Sequence, residues 1–194
     1  MSRFFRAMVL LVALGSCGSR DFSVPRNLDN ACQIVSERPA YLRAFKATER
    51  KWGVPVPAVM AIIYQESKFI GNNRTPHQYA LGVIPIGRQS SAFGYSQALD
   101  GTWKEYQRAE GGSGARRDNI RDATDFMGWY MSLTKDEVGL AMNDTRNQYL
   151  AYHDGRTGYK RGTWKSKSWL IRIANEVAAR AVMYDAQLRS CRKI

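Results

Sequence analysis

The sequence is short of histidine. Only His77 and His153 occur, and between them and the three cysteines no ligand spacing recurs as it does in zinc sites. A Cys/His metal centre is therefore not indicated, and no cofactor is expected. Repeats, low-complexity tracts and Pro/Gly-rich linkers are also missing, which excludes a solenoid or a string of domains. The N-terminal apolar run, Ala7 to Leu14, falls far short of the roughly 20 residues that a spanning helix needs. Acidic side chains are scarce beside basic ones, 17 against 29, for a formal charge of +12.

What is there begins with an address. Arg3 and Arg6 precede the Ala7 to Leu14 run, the order of a secretory signal. It leads into Leu14-Gly15-Ser16-Cys17, which resembles the bacterial lipobox, where cleavage precedes a cysteine that then carries lipid. An ordinary signal peptide cut nearby is the alternative. Gly18 follows the cysteine where Asp would favour inner-membrane retention, so the expected location is the periplasmic side of the outer membrane, with Cys17 as the lipid anchor. The chain is accordingly read as a signal at 1–16, a lipid-anchored tether at 17–30 and one domain at 31–194. With 44% hydrophobic and 11% aromatic residues, that domain has material for a core.

Export changes the reading of the cysteines and of the charge. If Cys17 takes lipid, Cys32 and Cys191 remain as a pair in an oxidising compartment, expected to form a disulfide joining the ends of the domain. Removing Arg3 and Arg6 leaves 27 basic against 17 acidic side chains, or +10, a bias toward an anionic partner. In that compartment wall polymer or lipid head groups fit better than nucleic acid, and a generic soluble basic surface is the plainer reading.

The chain reads as mainly α. Pro39 opens a helix through Tyr41, Leu42, Phe45 and Trp52 that stops at Gly53, and Pro55 and Pro57 suit the first turn of the next. Residues 70–93, rich in Gly, Asn and Pro, predict a long irregular loop or short hairpin. Asp100 is placed to cap a helix through Trp103 and Tyr106 that ends by Gly111 to Gly114, and another runs from about Asn119 to Leu133. In the last and longest, Trp169, Ile173, Val177, Ala181, Tyr184 and Leu188 form the expected core face, with Arg172, Arg180 and Arg189 solvated.

Glu66 is the residue out of place. It closes the apolar run from Val59, and on a helix Ile62 and Ile63 share its face. A carboxyl on an apolar face loses hydration, which disfavours the anion and raises its pKa, and a general acid for work near neutral pH is made that way. The alternative is that Glu66 marks the helix end and points to water.

Further segments weigh on that choice. Glu66-Ser67, then Gly94-Tyr95-Ser96-Gln97, then Asn119-Ile120, then Ala151-Tyr152-His153-Asp154-Gly155 stand in the order seen in SLT-type lytic transglycosylases, lysozyme-like enzymes that cut peptidoglycan glycan strands. The resemblance spans roughly residues 40 to 185. It implies a lysozyme-like domain, expected to be monomeric, with Glu66 as the single catalytic acid/base and Ser67 beside it. It further implies Gln97 as a substrate group in the cleft and Tyr152 as a ring whose hydroxyl supports Glu66 or the sugar. His153 stands where the family usually has Asn and counts with the substrate-binding residues. The Glu66 to Gln97 interval is longer than usual and adds a loop carrying Tyr79 and Phe93 beside the cleft. The resemblance implies cleavage of the MurNAc–GlcNAc β-1,4 bond to a 1,6-anhydro sugar. A goose-type hydrolase, with Asp125 or Asp154 activating water, and a non-enzymatic wall-binding lipoprotein are the alternatives.

Overall fold

The computed structural model describes residues 22–194, so the signal segment, Cys17 and the start of the expected tether lie outside the described residues. Among the described residues, eight α-helices surround one core, with a two-stranded sheet set to one side. Helix α1 (Ala31–Glu37) is capped by the Asn30 side chain, and α2 (Pro39–Trp52) starts on its proline and stops where Gly53 turns left-handed at φ 76°. Both boundaries of α2 are the ones that the prolines and Gly53 predict.

Helix α3 (Val56–Ser67) carries Glu66 in its last turn. Pro55 and Pro57 set its entry, and Val56 to Ile63 are all buried, so it is apolar all round and runs through the core. Residues 77–80 and 84–88 then form an antiparallel hairpin, β1 (His77–Ala80) and β2 (Ile84–Arg88), within the region predicted to be an irregular loop or short hairpin. Its register slips between Gln78 and Tyr79, opposite Pro85, which has no N–H to give to a ladder.

Asp100 is the first residue of α4 (Asp100–Tyr106), not its side-chain cap as expected, and a π turn at Gln107–Gly111 ends that helix. Asn119 caps α5 (Ile120–Val138) by accepting from the backbone of Arg121 and Asp122, and Gly139 ends it a turn later than Leu133. Helices α6 (Thr145–Asp154), α7 (Arg156–Arg161) and α8 (Ser168–Ser190) complete the chain, with a 3₁₀ turn at Thr163–Ser166.

Helix α8 corrects two expectations. Its buried stripe is Leu170, Ala174, Val177, Ala181, Tyr184 and Leu188, while Trp169 is 43% exposed, because Leu170 takes the inward position at that turn. Arg180 is not simply solvated: it pairs with Asp29 at 2.8 Å, bonds the Leu28 carbonyl and lies 3.4 Å over the Tyr64 ring.

Residues 22–30, read from the sequence as the end of a tether, lie against the domain. Tyr184 donates to the Leu28 carbonyl, and the Gln187 amide spans the Ala31 N–H and the Asp29 carbonyl at 2.7 and 2.9 Å. Cys32 and Cys191 are joined there, their Cα atoms 6.4 Å apart. No helix of the described residues is long and apolar enough to cross a membrane.

Candidate active site

Glu66 sits at a corner. The residues that follow Ser67, Lys68 and Phe69, both adopt left-handed backbone, φ 51° and 62°, so the chain turns sharply as α3 ends. Such conformations are costly for side-chain-bearing residues and persist where packing enforces them. Here Phe69 is fully buried and stacked on Tyr41, and the Lys68 ammonium lies 3.5 Å over the Tyr64 ring. Ser67 is buried, and its hydroxyl donates back to the Ile63 carbonyl at 3.2 Å, closing the helix end instead of reaching into a cleft.

The residue Glu66 keeps partial solvent access, while the protein crowds its carboxyl. Loss of hydration dominates and pushes it up to about 7, against the Tyr149 hydroxyl, which hydrogen-bonds it, and the Lys68 charge, both of which favour the anion. Tyr149 is itself raised by burial and by that carboxylate, so it stays a donor. Sequence reading missed Tyr149. The signal was available, since it lies three residues before Tyr152 in α6 and shares a helix face with it.

Gln97, Leu99, Tyr130, Tyr152, His153 and Asp154 line a cavity of about 280 Å³. The four motif segments thus meet in part: α6 brings Tyr152 against the Gly94 to Gln97 turn, and Tyr152 lies near enough to Glu66 for the two charges to repel were both ionised. The Tyr152 hydroxyl donates to the Ser96 carbonyl at 2.6 Å, which commits its proton to backbone and leaves its oxygen as an acceptor. The Gln97 amide is likewise used as a strut, donating to the Asn73 and Gly94 carbonyls at 3.1 and 2.8 Å, which leaves its carbonyl oxygen as the end open to other partners.

The turn that carries Gln97 is built tightly. Gly94 has φ 81°, and a Cβ there would collide with the Arg117 carbonyl, so only glycine fits. Arg117 staples the segment, donating to the Ser91 and Ala98 carbonyls at 3.0 and 2.8 Å and pairing with Asp100 at 2.7 Å. No sequence pattern flagged Arg117.

His153 packs edge-on against Trp169 at 5.2 Å, and burial with the nearby Lys167 charge lowers its pKa, which favours the neutral ring. His77 lies on β1, away from that cavity's lining. Among the described residues no group of three His, Cys, Asp or Glu side chains converges as metal ligands would.

The two carboxylates considered for a hydrolase are occupied. Burial alone would raise Asp154, but Lys167 and Thr163, each bonded to one of its oxygens, outweigh it and lower it. Asp125 lies in another pocket with Lys51, Glu110 and Asp122, taking bonds from Trp52 at 2.9 Å, Tyr106 at 2.7 Å and Lys51 at 3.1 Å.

A mainly helical domain with a small β-hairpin and one raised glutamate at the end of a core helix has the form of the lysozyme-like class. Within it, the family model described as the transglycosylase SLT domain matches residues 5–191, and the chain belongs to that family. Nothing among curated proteins matches the chain.

Proposed function

We propose that the protein is a peptidoglycan lytic transglycosylase in which Glu66 is the sole acid and base. The observation that carries the proposal is the contrast among three carboxyls: Glu66 is crowded by protein and pushed up to about 7, while Asp154 and Asp125 are tied to cations and donors. A protonated Glu66 gives its proton to the glycosidic oxygen as the bond from C1 of MurNAc breaks. The sugar's acetamido oxygen stabilises the positive centre. Glu66, now anionic, takes the proton of the C6 hydroxyl, which attacks C1 and closes the 1,6-anhydro ring. An inverting hydrolase needs a second free carboxylate about 6.5–9.5 Å away to activate water.

In this reading Ser67 and Tyr152 hold the site's shape, Tyr149 tunes Glu66, and the Gln97 carbonyl and His153 face glycan in the cavity. Lipidation at Cys17, removal of residues 1–16 and residence on the periplasmic side of the outer membrane are proposed from the sequence alone, with 31–194 as the catalytic domain.

Digestion of purified sacculi by the processed chain tests the reaction. Transglycosylation gives muropeptides about 18 mass units lighter than hydrolysis does, with ends that resist borohydride, because intramolecular attack replaces water. Mainly reducible fragments would make the protein a hydrolase, with Asp154 the base to test next. No cleavage at all would favour a wall-binding lipoprotein.

A further inference from the structure

The hairpin presents an apolar surface outside the lining of the Gln97–Tyr152 cavity. Leu81 is 90% exposed, Val83 76%, Ile86 63%, Tyr79 54% and Ile84 53%. These residues are near neighbours on β1, the turn and β2, so apolar side chains cover both faces of the hairpin's tip, where scattered single exposures would be ordinary. No charged residue lies between Arg74 and Arg88. Over the wider stretch from Ser67 to Leu99 there is no Asp or Glu at all, while Lys68, Arg74 and Arg88 supply positive charge. An apolar tip above a base that carries only cations is complementary to a surface with anionic heads and an apolar interior.

The path of the chain places such a surface nearby. Phe22, the first described residue, lies against Gly71: a Cβ at Gly71 would come within 2.7 Å of the Phe22 ring. Gly71 stands six residues before β1, and the base of the hairpin is closed by the Thr75 hydroxyl on the Ser90 carbonyl at 2.8 Å. Phe22 lies against Gly71 and residues 28–32 are fastened to α8, so Cys17 stands five residues from a held point, a distance of at most about 17 Å along an extended chain. A lipid on Cys17 would hold this side of the domain against the bilayer. The hairpin, about 15 Å long, is then the element that reaches it.

We propose that the β1–β2 hairpin is a membrane-contacting element that inserts Leu81, Val83 and Ile86 into the head-group region of an anionic lipid surface. It makes a second point of attachment and fixes how the domain faces the membrane. Its placement beside the bilayer rests on lipidation at Cys17; its insertion does not.

The test uses the processed chain from residue 17 with Cys17→Ser, which removes both the apolar signal run and lipid attachment from the question, and Val83→Cys labelled with an environment-sensitive fluorophore, the Cys32–Cys191 bond left intact. A control carries the label at Val182→Cys, 71% exposed on α8. With phosphatidylglycerol-containing vesicles the label at 83 shifts to the blue and is quenched by nitroxide lipids, while the label at 182 stays in water. Adding Leu81→Asp with Ile86→Asp abolishes the shift at 83. The proposal is overturned if the label at 83 ignores vesicles or responds no more than that at 182. It is equally overturned if the shift appears without lipid, either as protein concentration rises, which marks a second copy as the occupant, or with soluble glycan fragments, which makes the hairpin a wall of the substrate cleft.

Discussion

Tyr149 hydrogen-bonds Glu66 from one turn of α6, and Tyr152, three residues on, spends its hydroxyl on Ser96. One helix therefore holds two jobs: Tyr149 supports the carboxyl, as was expected of Tyr152, and Tyr152 locks the Gly94 to Gln97 turn.

Glu66→Gln keeps the shape of the side chain and removes its proton. Activity on sacculi falls by about 10²- to 10⁴-fold with an unchanged circular dichroism spectrum. A normally folded, active Gln variant would remove the assignment of Glu66.

The same substitution changes stability in a pH-dependent way. Glu66 rises from 4.5 to about 7 on folding, so the folded state holds the proton more tightly and its stability declines as pH climbs through that window. The Gln variant does not titrate. It should match the parent in urea melts below pH 4.5 and exceed it above pH 7 by about 1–3 kcal/mol, a range reduced for the partial solvent access of the residue. An equal difference at both ends would show that the carboxyl is not raised. In the parent, the acid step weakens as pH rises through about 7.

Tyr149→Phe removes a hydrogen bond that favours the Glu66 anion. The Glu66 pKa rises further, and the alkaline limb of the pH–activity profile moves to higher pH. A limb that stays put while kcat drops would assign Tyr149 to substrate contact instead.

Tyr152→Phe leaves that limb close to its place and acts on the fold. The Ser96 carbonyl loses its donor inside the protein, which destabilises the fold by about 1–2 kcal/mol and lowers the urea midpoint accordingly. Unchanged stability with a shifted limb would reverse the roles of the two tyrosines.

Replacing Cys32 and Cys191 together by Ser opens a link between residues 159 apart, worth up to about 5 kcal/mol in the chain-entropy view. The melting temperature of the exported protein drops, and peptide mapping of the parent without reductant shows the crossed pair. Two alkylatable thiols in exported parent protein would dispose of the bond.

Helix boundaries were legible wherever backbone chemistry dictated them, as at Pro39, Gly53, Pro55 and Asn119. The raised pKa of Glu66 was legible as well, because Glu66 closes an apolar run that buries α3, although its partner Tyr149 was not. What the sequence hid was long-range. That Asp154 belongs to Lys167, that Arg117 staples the loop at Ala98, and that Arg180 covers Tyr64 are pairings across elements that no local period records. Trp169 shows the same limit in another form, since helical spacing admits two adjacent stripes on α8 and only the partner helices choose between them.

The seam between residues 28–32 and α8 bears on the order in which the molecule is made. Its holding groups, Arg180, Tyr184, Gln187 and Cys191, all lie at the C-terminal end of the chain, and α3 packs chiefly along that same helix. A chain emerging N-terminus first carries Glu66 before Tyr149, which bonds it, and α8, along which α3 packs, have been made. Until α6 and α8 arrive, α3 lacks most of its packing and Tyr149 is not there to bond the carboxyl. On the proposed function, a chain lacking α8 would lose the packing that holds α3 and with it the ability to cleave glycan.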